Sequence, residues 1–145
     1  MEYKELSNLY LDLSEEILKD INFDSSPKDN HKQLLFISCI ENSLDCEANN
    51  IFDIYKNDLE PIKEFNFKYK WKKLTEISSI KNIVNIEFDP DGLLTILQDS
   101  KERIISVPDT NIISTNKLND LKKFSLILNK YKSFKELLRK LLDEC

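Results

Sequence analysis

The order of apolar and polar positions divides the chain into a helical first part, a central part with strand-like patterns and a helical last part. Residues 3–21 place apolar side chains at helical spacing, with most acids away from that stripe. The stripe consists of Leu6, Leu9, Tyr10, Leu13, Ile17 and Ile21. The pattern predicts an amphipathic helix whose apolar side faces the core.

A second helix start is marked by Ser26-Pro27-Lys28-Asp29, which offers an N-cap serine followed by a proline at the first helical position. Apolar residues then recur with a period near 3.6 as far as Tyr55, and Glu60-Pro61 stops the pattern. We predict one long helix, with a break at Asn49-Asn50 as an alternative. The apolar run Leu34–Ile40 also fits a buried strand.

The central part alternates in the manner of β-strands. Phe65–Lys72 places aromatic residues on one side and mostly lysine on the other, which predicts a half-buried strand. Ile83–Val107 contains three short apolar segments separated by two polar turns, Asp89–Gly92 and Gln98–Glu102. We expect Gly92, the only glycine, to use a positive φ where the second of these strands begins.

The last part is predicted to be helical. One apolar stripe contains Leu118, Leu121, Phe124, Leu128 and Tyr131. The sequence Ser133-Phe134-Lys135-Glu136 has the form of a capping box that would open another helix. The prediction is a single α+β domain: an acidic helical part at 1–60, an antiparallel sheet of about four strands at 65–107, and C-terminal helices at 116–144.

Composition argues against disulfide frameworks, metal clusters and Gly-rich phosphate-binding loops. The 145 residues fit one domain, and the net charge is −5. Cys39, Cys46 and Cys145 form no CxxC pair, which argues against a disulfide framework and a zinc cluster. A single histidine, His31, excludes a two-histidine metal site, and a single glycine excludes Gly-rich phosphate loops. We therefore expect no cofactor, no metal and no catalytic residues.

The first residues lack the basic start and unbroken apolar run of a signal peptide. No segment approaches the roughly 18 consecutive apolar residues of a membrane span. We therefore expect a cytoplasmic protein that does not enter a membrane.

One short motif suggests an enzyme. Pro90-Asp91 followed by Asp99-Ser100-Lys101 resembles the PD-(D/E)xK signature of metal-dependent nucleases. The resemblance implies that the two acids bind Mg²⁺ and that the lysine orients the attacking water. A straight strand between Asp91 and Asp99 would separate them by roughly 20 Å. We therefore interpret the motif as two ordinary turns and keep the nuclease as an alternative.

The lysines of the predicted strand form a second candidate surface, Lys68, Lys70, Lys72 and Lys73. Together with Tyr69 and Trp71 they suggest a nucleic-acid platform of cations and stacking rings. Strand alternation would place the rings and the lysines on opposite faces, and the acidic total disfavours phosphate binding. A nucleic-acid-binding regulator is therefore a further alternative.

Charge is divided unevenly along the chain. Residues 1–60 hold 14 acids and 5 bases, whereas residues 61–145 hold 12 acids and 16 bases. Either the two halves face and neutralise each other, or the acidic half steers a charged partner. The second interpretation gives a candidate partner-binding surface consisting of Glu41, Asp45, Glu47, Asp53, Asp58 and Glu60.

In size and charge layout the chain resembles the immunity proteins that protect bacteria from protein toxins. This resemblance implies tight binding to one cognate toxin, such as a basic nuclease, with no reaction performed by this chain. We therefore predict a non-enzymatic toxin inhibitor.

Overall fold

The computed structural model describes residues 1–106 and 117–143, and over those residues it contains α-helices and no β-strand. The helices are α1 (Tyr3–Asp20), α2 (Pro27–Ile54), α3 (Phe67–Leu74), α4 (Lys81–Ile86), α5 (Leu93–Ile105) and α6 (Lys117–Asp143). The predicted α+β class, with its antiparallel sheet at 65–107, is therefore wrong.

The first two helices are confirmed. Ser26 caps α2, because its Oγ accepts a hydrogen bond from the Asp29 backbone N–H at 3.1 Å, and Pro27 occupies the first turn. The helix continues through Asn49-Asn50 without a break. The two helices run antiparallel: Ser7 contacts Ser43, whereas Lys32 donates a hydrogen bond to the Asp20 carbonyl.

A buried carboxylate fixes the connection between α1 and α2 through hydrogen bonds. Asp29 accepts hydrogen bonds from the backbone N–H groups of Asn22 and Phe23, at 2.7 and 2.9 Å. Phe23 adopts a φ of 55°, a conformation that costs energy for a residue with a bulky side chain. Its ring is buried edge-on against Phe124, with 5.3 Å between centroids, and these contacts hold the strained backbone in place.

Helix α2 lies at the centre of the molecule. Most of its residues from Phe36 to Phe52 are buried, on every side of the helix. Helices α1, α3 and α5 pack against it, and α6 reaches it where the Phe36 and Phe124 rings stack at 5.0 Å. A helix surrounded in this way has no solvent-facing side over most of its length, so its polar residues must find partners inside the protein.

The lysine-rich segment is a helix because its buried positions are spaced three and four apart. Phe67, Trp71 and Leu74 face the core, and so does Lys70. Asn66 caps the helix through Oδ1, which accepts from the Tyr69 backbone N–H at 3.1 Å. Eight residues of alternating ring and lysine satisfy a strand pattern equally well, so tertiary burial decides the outcome.

The predicted strands at 83–88, 93–97 and 103–107 are also wrong. The first falls largely in α4, and the other two belong to α5, apart from Ser106 at its end and Val107, which lies outside the described residues. In α5, Leu93, Leu97 and Ser100 are buried at helical spacing. Gln98 donates to Glu102 at 2.8 Å across one helical turn, so the segment interpreted as a polar turn is part of a helix.

The tetrapeptide at residues 89–92 is a turn as predicted, closed by a hydrogen bond from the Gly92 N–H to the Asp89 carbonyl at 2.8 Å. The expected positive φ is absent, because Gly92 has φ −77°. Glycine is required here for space: a Cβ at this position would lie 2.4 Å from the backbone carbonyl carbon of Glu87.

The C-terminal region forms one helix where two were predicted, and Leu121 of the predicted apolar stripe is 41 % exposed. Helix α6 continues through Ser133, so the predicted capping box does not open a new helix. Ser133 is exposed, whereas Tyr131, Phe134 and Leu138 form a continuous buried stripe through the same segment. Of the predicted range 116–144, residues 116 and 144 lie outside the described residues.

Candidate functional site

The six acids predicted to bind a partner fall into two groups. Asp53, Asp58 and Glu60 are exposed at or beyond the end of α2. Glu41, Asp45 and Glu47 are 6, 7 and 8 % exposed and point into the protein. The geometry therefore leaves only the first group open to a partner, and its role in binding stays a prediction.

Each of these three buried acids, Glu41, Asp45 and Glu47, faces a lysine from a different helix. Lys101 of α5 contacts Glu41 at 3.2 Å, and Lys70 of α3 contacts Asp45 at 2.8 Å. The third contact joins Lys135 of α6 to Glu47 at 3.8 Å. All three pairs join the acidic first part of the chain to the basic second part. Part of the charge asymmetry is therefore used inside the molecule, which agrees with the interpretation that the two halves face each other.

The pair of Lys70 and Asp45 is the most deeply buried, with side-chain exposures of 2 and 10 %. Within the described part of the chain, Asp45 Oδ1 receives no hydrogen bond of good geometry. The positive charge of Lys70 is therefore the main interaction that offsets the burial of the Asp45 carboxylate. A pair of this kind costs desolvation energy, and it holds α3 in one position on α2.

The other lysines of α3 have different surroundings from Lys70. Lys73 pairs with Glu76 at 3.0 Å, and the Lys72 ammonium lies 5.3 Å from the centre of the Phe88 ring. Lys68 is half-buried. Tyr69 is 56 % exposed beside them, so in the helix a ring and cations share one surface, which the strand prediction excluded.

The nuclease-like motif is divided between a turn and a helix. Asp91 is exposed in the turn before α5, and Asp99 is exposed on α5. The helical rise from Leu93, where α5 begins, to Asp99 is about 9 Å, and Asp91 lies two residues before the helix. Lys101 is engaged with Glu41. Among the described residues no group of His, Cys, Asp and Glu has the arrangement of a metal site.

The outward side of α1 carries two exposed leucines that were predicted to be buried. Leu9 and Leu13 are 43 and 42 % exposed, although their spacing predicted burial. The side of α1 turned toward α2 instead carries the fully buried Ser7 and Ser14, whose small side chains permit close helix packing. Exposed acids at helical spacing surround the two leucines. We call this surface the acidic face of α1; it consists of Glu2, Glu5, Leu9, Asp12, Leu13, Glu16 and Asp20.

A cleft of about 270 Å³ lies on another side of α1, between α1, α2 and α6. Buried hydroxyl groups join the three helices beneath it. Tyr131 and Ser43 hydroxyls lie 2.6 Å apart, and Ser43 donates to the Ser7 carbonyl at 2.7 Å. The Ser43 hydrogen is therefore used, and Tyr131 is the donor to Ser43. Ser7 Oγ donates to Glu47 Oε2 at 2.9 Å.

Lys135 completes this network at the wall of the cleft. Its ammonium donates to Ser7 Oγ at 3.0 Å and to Asn8 Oδ1 at 2.7 Å. Burial lowers the pKa of Lys135, and the Glu47 carboxylate opposes that shift. Burial, followed by the Glu47 charge, raises the pKa of Tyr131 far above its ordinary value, so the phenol stays protonated.

The contact between Ser7 and Lys135 resembles a nucleophile with its base, but the arrangement does not favour that chemistry. Ser7 is fully buried, and its hydroxyl donates a hydrogen bond to Glu47. Lys135 donates to Ser7 Oγ and does not accept from it, so it is not placed as a base for this hydroxyl. The network therefore joins three helices, and we assign it no catalytic role.

Among the described residues, the cysteine and histidine side chains do not form a reactive site. Cys39 and Cys46 are free and buried on α2, and burial raises the pKa of both thiols, which disfavours the reactive thiolate. Cys145 lies outside the described residues. His31 is exposed in the second turn of α2.

No protein-family model, curated protein or solved structure matches this chain. Within residues 1–106 and 117–143, no helix combines the length and the apolar character needed to cross a membrane.

Proposed function

We propose that the chain is a non-enzymatic binding protein of the immunity type, which captures a basic protein toxin and blocks it. The observation that carries this proposal is the acidic face of α1, where two exposed leucines lie among acids. The chain resembles immunity proteins in size and charge layout, and a basic nuclease domain fits that surface by charge.

The acidic face of α1 combines the two elements of a protein interface. Leu9 and Leu13 lie one helical turn apart and supply an apolar centre that a partner can desolvate. The acids around them supply a polar rim that accelerates encounter with a cationic surface and disfavours acidic partners. Lys19, which pairs with Glu16 at 3.3 Å, is a basic residue at the edge of this surface.

The exposed acids at the end of α2 are a further candidate contact. Because α1 and α2 are antiparallel, the end of α2 lies at the same end of the helix pair as the beginning of α1, and Ile54 and Lys4 line one cleft. Asp53, Asp58 and Glu60 are exposed at or beyond that end of α2, and they are proposed to add to the attraction for a basic partner.

Charge reversal on α1 tests this proposal. We expect the triple variant Glu5→Lys, Asp12→Lys, Glu16→Lys to bind the partner at least tenfold more weakly, because each change places a positive charge opposite a basic surface. The control variant Glu64→Lys, Asp91→Lys, Asp99→Lys makes the same charge change at exposed acids elsewhere and should retain binding. Circular dichroism checks that both variants fold.

The measurement is affinity capture of the tagged chain from its own host, followed by mass spectrometry and co-expression with the captured protein. We expect a basic protein in a one-to-one complex, whose expression alone arrests growth and whose effect the chain relieves. The proposal fails if no stoichiometric partner is captured, if the α1 variant retains it, or if the partner is harmless to the host.

A second candidate function is favoured by the surface of α3. Tyr69 of α3 is 56 % exposed, with Lys68 and Lys72 beside it in the helix, and Phe65, two residues before the helix, is 58 % exposed. Exposed rings beside cations are typical of surfaces that stack the bases of single-stranded nucleic acid. The net charge of −5 opposes such binding, so this function takes second place.

A labelled oligothymidylate of about 12 nucleotides tests the second function. We expect the affinity to fall about sevenfold between about 50 and 200 mM salt if two lysines neutralise phosphates. Tyr69→Ala should weaken binding by about 1–3 kcal/mol, whereas Tyr3→Ala on α1 should have no effect. Fluorescence anisotropy measures both quantities. Equal effects of the two substitutions, or no binding at low salt, would exclude this surface.

A further inference from the structure

The cleft between α1, α2 and α6 is separate from the acidic face of α1, and its walls have two kinds of surface. Leu11, Ile54 and Leu142 supply an apolar side, and Ile54 is 55 % exposed there. The polar side includes Lys4 and Lys135. The volume of about 270 Å³ is slightly below the roughly 300–1,000 Å³ of sites for drug-sized ligands, so it suits a smaller molecule.

Most charges around the cleft are already compensated. Arg139 pairs with Glu136 at 2.6 Å and with Asp143 at 3.6 Å. Lys132 pairs with Glu15 at 2.6 Å. Lys135 is held by Glu47 and by the two hydrogen bonds to α1.

Lys4 is the exception among these cations. Within the described residues, its ammonium has neither an ion-pair nor a hydrogen-bond partner. The charge of Lys4 lowers the pKa of Lys135, which shows that the two cations repel each other, and Asp12 acts in the opposite direction. Among the described residues, Lys4 is therefore the one cation of the lining that contacts no carboxylate, and an anion placed beside it would reduce its repulsion with Lys135.

The neutral polar groups are consistent with an anion at this place. Asn8 uses its carbonyl oxygen to accept from Lys135, which leaves its amide N–H groups available as donors. Asn50 adds a second amide to the lining. The network beneath holds Ser7, Tyr131 and Lys135 in place, so this part of the polar wall is formed before a ligand arrives.

We propose that this cleft binds a small organic acid of roughly ten heavy atoms, with its carboxylate at Lys4 and its apolar body against Leu11, Ile54 and Leu142. The carboxylate gains a charge-assisted contact with an ammonium that has no other partner. The apolar body covers Ile54, which is otherwise exposed to water. This site does not depend on the function proposed for α1.

The probe that tests this site is 4-phenylbutyrate, compared with the neutral 4-phenylbutan-1-ol and the cationic 4-phenylbutylamine. At the ligand efficiency of small molecules we expect a Kd for the acid on the order of 1 mM, which NMR titration of the ¹⁵N-labelled full chain measures. Shift changes should concentrate at residues of the cleft. The alcohol should bind at least fivefold more weakly than the acid, and the amine more weakly still.

Two substitutions separate the two walls. Lys4→Ala should weaken binding of the acid about tenfold and leave binding of the alcohol unchanged. The control is Lys28→Ala, at an exposed lysine in the first turn of α2. Ile54→Glu places a charge on an exposed apolar position and should abolish binding of both without unfolding the chain. The site is refuted if the acid causes no shifts in the cleft, if acid and alcohol bind equally, or if Lys4→Ala has no effect.

Discussion

Replacing Asp45 with alanine is expected to lower the free energy of unfolding by about 3–5 kcal/mol, because the substitution leaves a buried ammonium without its countercharge. The Lys70 side chain is only 2 % exposed, and Asp45 lies 2.8 Å from its Nζ. Lys70 cannot reach water without moving α3 away from α2. Urea denaturation followed by circular dichroism measures the loss, and α3 should become protease-sensitive first.

The double variant Asp45→Ala, Lys70→Met distinguishes a broken pair from lost packing. It removes both charges while methionine keeps much of the lysine stem, so we expect it to recover to within about 1–2 kcal/mol of the native chain. Glu16→Ala removes one partner of an exposed pair with 71 % exposure on each side, and should cost less than about 1 kcal/mol. A double variant no more stable than Asp45→Ala would contradict this interpretation.

Trp71→Ala is expected to cost about 3–5 kcal/mol, the range for removal of a large buried aromatic side chain. Trp71 is fully buried, its ring lies 5.0 Å from that of Phe134, and its indole N–H donates to the Leu44 carbonyl at 3.1 Å. The substitution opens a cavity between α2, α3 and α6 and leaves that carbonyl without the indole donor.

Tyr69→Ala is the matched control for Trp71, because it removes an exposed ring from the same helix. It should change the free energy of unfolding by no more than about 0.5 kcal/mol. Thermal and urea denaturation of both variants compare the two positions directly. If the segment were the strand that its alternation suggests, Tyr69 and Trp71 would share a buried face and both substitutions would be costly.

The beginning of α2 was predictable because its signal is local. Ser26 bonds the backbone three residues ahead, and Pro27 fits the first turn in any surroundings. The segment at 65–74 was not predictable in the same way. Its aromatic residues at 65, 67, 69 and 71 are two apart, which fits one face of a strand, and every second one of them is four apart, which fits one face of a helix. The deciding observation is the burial of Lys70, which requires Asp45 on a distant part of the chain. The cap at Asn66 was the local signal that sequence reasoning missed.

The buried acids of α2 show why the candidate surface was only partly predictable. The spacing of apolar residues along a helix distinguishes its exposed side from its buried side. Helix α2 is covered on all sides over its middle, so Glu41 and Glu47 are buried together with Leu44. The unequal charge of the two halves was the available clue to these internal pairs. On α1, nothing in the spacing of Leu9 and Leu13 distinguishes a core position from an exposed one.

The contacts of Ser7 also determine when the molecule can assemble during its synthesis. Ser7 in the first helix contacts Tyr131 and Lys135 in the last one, 124 and 128 residues away. A ribosome releases Tyr131 only 124 residues after Ser7, so the hairpin of α1 and α2 is made well before the helix that covers its hydroxyl groups. Until α6 is made, Glu47 and the serines stay hydrated, and the contacts between α1 and α6 form only afterwards.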